Sequence, residues 1–112
     1  DAASELRERS IAVVNAWANL FGDVAVAASG GVDSSLICGA LAAAGRPFGC
    51  ATLATPDPSG DERAYVALMA EALGVRWTAR TYDPVRFEPM ICASHGLARP
   101  SRRSFVTTID AL

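Results

Sequence analysis

The sequence of 112 residues contains no lysine, and all ten of its basic residues are arginine. This absence excludes a Walker A phosphate loop, because that loop needs a lysine to reach the phosphates. The glycine fingerprint G-x-G-x-x-G of dinucleotide-binding folds is missing as well. A nucleotide site in this chain would therefore have to be of another type.

Cysteine is scarce, and long apolar runs are absent. The three cysteines are odd in number and widely spaced, which argues against a disulfide scaffold and favours reduced thiols in a cytoplasmic protein. No apolar run reaches membrane-spanning length, and the first residues lack a signal-peptide pattern. A net charge of −2 disfavours nucleic acid as the main partner. The sequence therefore predicts a cytoplasmic protein with neither a membrane nor a nucleic acid as partner.

Cys92 and His95 have the spacing of half a metal site. The other half would have to come from Cys38 and Cys50, which fall on a helix and a strand whose patterns predict burial. Because buried core cysteines are common, we interpret these two as structural and predict no zinc site.

Helical and strand-like apolar patterns alternate along the chain, whose 51% of hydrophobic and 20% of charged residues are typical of a globular domain. The predicted elements are a helix over 4–21, a strand over 24–28, a helix ending near Ala44, a strand over 48–54, a helix between a Ser59–Glu62 capping box and Gly74, and a strand over 75–80. A last helical face carries Phe105, Val106, Ile109 and Leu112. This alternation predicts an α/β fold with a parallel sheet and helices on both of its faces.

The segment Ser-Gly-Gly-Val-Asp-Ser-Ser at 29–35 lies between the first strand and the second helix. Two glycines let the backbone approach a ligand closely, and the free N–H groups and dipole of the following helix favour a phosphate. Serine hydroxyls add donors, and Asp33 can hold a Mg²⁺ ion that neutralises phosphate charge. The alternative is an ordinary capped helix after a glycine turn, with Asp33 or Ser34 as the N-cap. Five specified residues at one strand-to-helix junction favour the phosphate site.

This motif resembles the PP-loop of the ATP pyrophosphatase superfamily, whose members cleave ATP between the α- and β-phosphates. Several branches share it, among them GMP synthetases, NAD synthetases, tRNA-thiolating enzymes and asparagine synthetases. The second strand–helix unit favours the last of these. Its segment from Asp61-Glu62 through Tyr65 to Leu73-Gly74 resembles the pattern D-E-x-x-Y/A-A-x-x-x-A-x-x-L-G of asparagine synthase domains. The resemblance covers roughly residues 5–82.

The resemblance implies an adenine nucleotide alpha hydrolase-like fold, which is a Rossmann-like PP-loop fold, with residues 1–112 as the front portion of an incomplete domain. It implies that four residues of the motif cradle the phosphates of ATP, namely Ser29, Gly30, Gly31 and Ser34. Asp33 would bind Mg²⁺, and the main chain near Ala27 and Leu53 would border the adenosine. The alternative role for Ala27 and Leu53 is plain strand core.

The function that the resemblance implies is that of an ATP-dependent amide-bond-forming ligase of the asparagine synthase type. Such a ligase adenylates a small-molecule or peptide carboxylate and releases pyrophosphate. No catalytic residue is assigned, because the family's second phosphate signature, S-G-E-G-x-D-E, does not occur in the chain. The remainder of the same protein, with a glutaminase domain as ammonia source, would then be a partner, and an open sheet edge predicts a homo-oligomer.

Two alternatives to the ligase stay open. The first is a non-catalytic adenine-nucleotide-binding module. The second is another PP-loop enzyme, such as a tRNA-thiolating or a GMP or NAD synthetase-like protein.

Overall fold

The computed structural model describes residues 1–54 and 56–81. Within them the elements follow in the order α1 (Ala2–Ala18), β1 (Ala25–Ala27), α2 (Val32–Ala43), β2 (Gly49–Ala54), a 3₁₀ turn (Pro58–Gly60), α3 (Arg63–Leu73) and β3 (Arg76–Thr81). The features predicted further along the chain, including Cys92, His95 and the helical face from Phe105 to Leu112, lie outside the described residues. No helix in these residues has the length and hydropathy needed to cross a membrane.

The three strands form one parallel sheet in the order β1-β2-β3. β1 pairs with β2 from Ala25 opposite Gly49 to Ala27 opposite Ala51, and β2 pairs with β3 along its whole length. Each connection is a strand–helix–strand crossover, which parallel neighbours require. The predicted α/β class with a parallel sheet is confirmed.

Both crossover helices cover the same face of the sheet. α2 and α3 contact each other, and two right-handed crossovers that advance in the same direction place their helices on one side. α1 packs against α2. On the opposite face of β1, Ala25 and Ala27 are exposed. On that same face, Ala51 of β2 is nonetheless fully buried.

The core lies between the sheet and the two crossover helices, and its buried cluster consists of Ala28, Cys38, Cys50 and Val66. Cys38 and Cys50 are free thiols whose sulfur atoms lie 3.7 Å apart. Burial raises the pKa of the Cys38 thiol to about 12, with the neighbouring Cys50 adding to the shift, and burial also raises the pKa of Cys50. Both thiols are therefore protonated at neutral pH, and the prediction that they are structural core residues is confirmed.

The predicted capping box at the start of α3 is wrong. The helix begins at Arg63, and its N-cap residue Glu62 makes no side-chain capping bond, because the 3₁₀ turn precedes it. Asp57 instead accepts the N–H of Ser59 at 2.9 Å, and Asp61 accepts the N–H of Arg63 at 3.1 Å. An aspartate side chain readily accepts the main-chain N–H group two residues further along the chain. These two bonds therefore form instead of the bonds of the predicted capping box.

α1 is the element whose predicted face and observed surroundings differ most. The helix ends at Ala18, earlier than the predicted end at residue 21. Leu6, Val13 and Trp17, which belong to its apolar face, are 66%, 57% and 62% exposed. An apolar face of this kind normally packs against a core. Within the described residues, it is largely uncovered.

Candidate functional site

The glycine motif forms the connection from β1 to α2, at the carboxyl end of the first strand. Ala28 still continues the strand pairing, because its N–H donates to the carbonyl of Ala51 at 2.8 Å, and the chain turns at the next residue, Ser29. The carboxyl edge of an open parallel sheet is where ligands bind in folds of this class. The strand, turn and helix around the motif therefore lie as the sequence predicts.

Ser29 and Ser34 close the loop through a ring of hydrogen bonds. The Ser34 hydroxyl donates to the Gly31 carbonyl at 3.3 Å, and the Gly31 N–H donates to the Ser29 hydroxyl at 3.3 Å. The two hydroxyl oxygens lie 3.2 Å apart, and either hydroxyl can donate that bond. Ser34 Oγ also accepts the N–H of Ser29 at 3.2 Å. Both hydroxyls thus shape the loop, and their predicted contacts with phosphates stay a prediction.

Gly30 lets the loop lie directly against α3. Its φ of +72° is in the left-handed region, which favours glycine. A Cβ atom at this position would lie 2.4 Å from the Cβ of Tyr65 and 2.8 Å from its carbonyl carbon. Gly31, by contrast, has a φ of −73°, and a Cβ there would meet only the Ser29 hydroxyl oxygen, at 3.3 Å. Both conformation and space therefore require glycine at position 30.

The first turn of α2 has no side-chain cap. Gly31 is its N-cap residue, and the N–H groups of Val32 and Asp33 donate to no other described residue. The alternative in which Asp33 or Ser34 is the N-cap is therefore wrong, because both residues lie inside the first turn and the Ser34 hydroxyl is bonded within the loop. Uncapped amides at the positive end of a helix dipole form an anion-binding site.

Asp33 is the one acidic residue in this first turn, where its side chain is exposed and forms no ion pair with a described residue. Magnesium is usually held by one or two carboxylates together with the phosphates of a substrate. A single carboxylate beside a phosphate loop fits that requirement. Residues 1–54 and 56–81 contain no group of three or more histidine, cysteine, aspartate or glutamate side chains that could hold a metal on their own.

Ala27 and Leu53 lie on the same face of the sheet, near the carboxyl ends of neighbouring strands. Ala27 pairs with Ala51, and Leu53 follows two residues later on β2, so the alternation of side chains places both on the face opposite α2 and α3. Ala27 is exposed and Leu53 is half-buried. Both roles of this pair, contact with adenosine and plain strand core, therefore stay predictions.

The sequence pattern alone does not reveal two residues on α3 that support the loop. Tyr65 contacts Gly30, and Val66 is fully buried in the same cluster as Ala28, which directly precedes Ser29. A signal was nevertheless present, because Tyr65 belongs to the D-E-x-x-Y segment of this chain. The start of α3 is therefore the surface against which the glycine loop packs.

At the start of α3, unlike that of α2, a carboxylate forms an ion pair and accepts a main-chain N–H group. The guanidinium of Arg63 donates to the two carboxylate oxygens of Asp61 at 2.8 and 2.6 Å. These hydrogen bonds, together with that from the Arg63 N–H, lower the pKa of Asp61 to about 2. The chain's own carboxylate thus occupies the position that an anionic ligand would take at this helix.

Comparison with known families identifies the family of the chain. The model of the asparagine synthase family matches residues 12–92, which is more than half of the chain. The match includes the glycine motif and both strand–helix units, and it continues beyond residue 82, where the resemblance predicted from the sequence ended. No curated protein and no solved structure matches the chain significantly. With the motif lying at the strand-to-helix turn and the family match spanning it, the chain belongs to the asparagine synthase family.

Proposed function

We propose that this chain is the ATP-binding part of an ATP-dependent ligase that forms amide bonds. The reaction adenylates a small-molecule or peptide carboxylate and releases pyrophosphate. The observation that carries the proposal is the uncapped start of α2 beside the Gly30-Gly31 turn, in a chain of the asparagine synthase family. The two buried, protonated thiols are in keeping with a cytoplasmic location.

The loop would act by positioning and by neutralising charge. The N–H groups of Val32 and Asp33, together with the helix dipole, would hold phosphate oxygens of ATP and stabilise the charge that develops on departing pyrophosphate. Gly30 and Gly31 carry no side chains that would keep the phosphates away from these amides. Asp33 would hold Mg²⁺, which neutralises phosphate charge when bound. Fixed geometry and fixed charges of this kind are the main sources of rate enhancement in such a site.

The groups that bind the carboxylate and the attacking amine would come from the remainder of the same protein. The second phosphate signature of the family does not occur in the 112 residues. We therefore expect the chain to bind nucleotide without turning it over. The same loop would serve a nucleotide-binding module that performs no chemistry, and the experiments below separate the two functions.

Calorimetric titration of the 112-residue chain with ATP, AMP and pyrophosphate, with and without Mg²⁺, tests the site. We expect ATP and pyrophosphate to bind, and Mg²⁺ to strengthen the binding of both. Gly39→Ala is a suitable control variant, because a Cβ at Gly39 meets no atom within 4 Å. If neither ATP nor pyrophosphate binds, the nucleotide site is refuted.

A second assay, ATP–pyrophosphate exchange, tests the ligase. In the complete protein, exchange should depend on an added carboxylate substrate, whereas the 112-residue chain should show none. Nucleotide binding without exchange in the complete protein would favour the non-catalytic module.

A further inference from the structure

Cys38 and Cys50 are nucleophilic side chains that the proposed function does not use. Cys38 lies on α2 and Cys50 on β2, and both are fully buried. Their sulfur atoms are 3.7 Å apart, a distance at which one thiol can donate a weak hydrogen bond to the other. Two thiols that belong to different elements and already touch can form a disulfide after a small movement.

The movement that a disulfide requires would change the packing of the core. A sulfur–sulfur bond is about 2.0 Å long, so the two sulfur atoms would have to approach each other by about 1.7 Å. A cysteine side chain has a single rotatable bond before its sulfur, and protein cores are close-packed. We therefore expect part of the approach to be a shift of α2 relative to β2.

The two elements that carry the thiols also hold the two ends of the glycine loop. The loop begins after Ala28, whose N–H donates to the carbonyl of Ala51, the neighbour of Cys50 on β2. The loop ends at Val32, the first residue of α2, which precedes Cys38 by six residues or about 9 Å along the helix. A shift of α2 against β2 therefore moves the N–H groups at the helix start relative to Ala28. Binding sites depend on groups that are held in place to within about 0.5 Å.

We propose that Cys38 and Cys50 form a reversible disulfide that weakens phosphate binding at the loop, a regulation that rests on the proposed nucleotide site. The oxidant is a small disulfide such as oxidised glutathione. The thiolate of one cysteine attacks a sulfur of this disulfide, forms a mixed disulfide and releases one small thiol. The thiolate of the other cysteine then attacks the cysteine sulfur of the mixed disulfide and releases the second small thiol. In total the two cysteines lose two electrons and two protons, and the oxidant takes up both as it becomes two small thiols.

Burial makes this reaction slow. It raises the pKa of the Cys38 thiol to about 12 and also raises the pKa of Cys50, so neither forms an accessible thiolate in the folded structure. Attack on the oxidant therefore requires local opening of the core. The pair would thus respond to lasting oxidation and not to a brief exposure to the oxidant.

Incubation of the full 112-residue chain with a glutathione redox buffer tests the disulfide. A Cys92→Ser background leaves Cys38 and Cys50 as the only cysteines. We expect oxidised glutathione to give a monomeric product whose mass, measured by mass spectrometry after acid quenching, is lower by two hydrogens. Dithiothreitol should restore the original mass. No oxidation, or only mixed disulfides with glutathione or disulfide-linked dimers, would overturn the pair.

Calorimetry with pyrophosphate and Mg²⁺ tests the regulation on the reduced and the oxidised form of the same sample. We expect the oxidised form to bind pyrophosphate about tenfold more weakly, and reduction to recover the affinity. Because coupling between two sites is reciprocal, saturating pyrophosphate should shift the disulfide equilibrium with glutathione about tenfold towards the two thiols. Equal affinities of the two forms would overturn the regulation even if the disulfide forms.

The affinity of the reduced chain separates a failure of the regulation from a failure of the proposed function. Reduced protein that does not bind pyrophosphate refutes the nucleotide site, and the regulation is refuted with it. Reduced protein that binds pyrophosphate with an affinity that oxidation leaves unchanged refutes the regulation alone.

Cys38→Ala and Cys50→Ala, each in the same background, are the control variants. Each removes one sulfur atom and keeps the position apolar, so the remaining thiol has no partner for an intramolecular disulfide. Oxidised glutathione should leave their affinity for pyrophosphate unchanged. A tenfold loss of affinity in either variant on oxidation would show that the effect does not come from the disulfide between Cys38 and Cys50, and it would overturn the proposal.

Discussion

The two strand-to-helix connections of this protein differ in whether side chains accept the unpaired N–H groups at the start of the helix. Each follows a parallel strand, and each ends at a helix start whose first N–H groups have no partner within the helix. In the connection from β2 to α3, Asp57 and Asp61 accept the N–H groups of Ser59 and Arg63. In the connection from β1 to α2, Gly31 is the N-cap residue, and no side chain in the described part of the chain accepts the first N–H groups of the helix. At the start of α3, a carboxylate of the chain itself takes the place that an anion would occupy. At the start of α2, the described residues provide no such carboxylate, so the N–H groups can bind an anion.

The start of α3 also supports the loop between β1 and α2. Tyr65, in the first turn of α3, is the residue against which Gly30 rests, and Val66 packs beside Ala28 in the core. Because side chains of the protein itself accept N–H groups at the start of α3, this helix start is ordered without a ligand and can support the loop. The comparison between the two connections therefore predicts different consequences for matched substitutions.

The largest effect should come from Gly30→Ala. The left-handed backbone costs a residue with a Cβ about 1–2 kcal/mol, and the contact with Tyr65 then forces the loop or α3 to move. We expect a lower melting temperature and loss of ATP binding, measured by thermal unfolding and calorimetry. Gly45→Ala is the matched control, because its φ is +68° but no atom lies within 4 Å, so it carries the conformational cost alone. Equal effects of both substitutions would show that the contact with Tyr65 is unimportant.

Asp33→Asn should remove the effect of Mg²⁺ on nucleotide binding. Because the variant retains the loop amides but lacks the carboxylate charge, we expect the affinity for ATP with Mg²⁺ to fall about tenfold, or about 1.4 kcal/mol. Affinity without Mg²⁺ should stay unchanged. If the complete protein is the proposed ligase, its pyrophosphate release should fall roughly a hundredfold, as for loss of one charge-stabilising group.

The control for this substitution lies at the other connection. Asp61→Asn changes the same functional group next to α3 and should leave the Mg²⁺ dependence of ATP binding as it is. The two variants should also differ little in melting temperature from the native chain, because Asp33 has no bonded partner among residues 1–54 and 56–81 and the ion pair of Asp61 lies at the surface. A native response of Asp33→Asn to Mg²⁺ would rule out a role of this carboxylate in metal binding.

Gly31→Asp should give the start of α2 a carboxylate that accepts its first N–H groups. The φ of −73° and ψ of 172° at Gly31 suit an N-cap residue, so the new carboxylate can accept amides of the first turn of α2. We expect the fold to gain about 0.5–2 kcal/mol of stability while pyrophosphate binding weakens. Gly31→Ala, which adds a Cβ without a cap, should not stabilise the protein. A variant that is both more stable and equally able to bind pyrophosphate would contradict the assignment of the amides as the anion site.

The smallest effect concerns pH and the Asp61–Arg63 pair. The folded-state pKa of Asp61 is about 2, below its usual value of 3.8. A depressed carboxylate pKa contributes stability above the unfolded-state value and loses it as the pH falls through the folded-state value. The contribution of this pair should therefore vanish between about pH 4 and pH 2. Unfolding curves of the native chain and of Asp61→Asn should converge across that interval. Curves that stay separated by the same amount down to pH 2 would contradict this assignment.

The strands and the glycine turn between β1 and α2 could be predicted from the sequence because short-range patterns determine them. A glycine pair after an uncharged run and before a helical pattern leaves few other conformations, and β1 and α2 lie where these signals predict. The start of α3 could not be predicted in the same way, because Ser59 and Asp61 both offer plausible caps and their competition is decided by local geometry. The D-E-x-x-Y segment includes Tyr65, but the contact of Tyr65 with Gly30 depends on the packing of two segments far apart in sequence and could not be predicted from that segment.

The two buried thiols allow the rate of local unfolding around the core to be measured. Cys38 and Cys50 are inaccessible and protonated at neutral pH, so an alkylating reagent cannot attack them in the closed structure. In a Cys92→Ser background, the rate at which iodoacetamide modifies the chain would equal the frequency of opening multiplied by the chance of reaction before closure. Because both sulfur atoms lie in the cluster that joins β2, α2 and α3, modification would report separation of the helices from the sheet directly beneath the phosphate loop. A nucleotide that binds this loop should then slow the chemistry of two residues that it never touches.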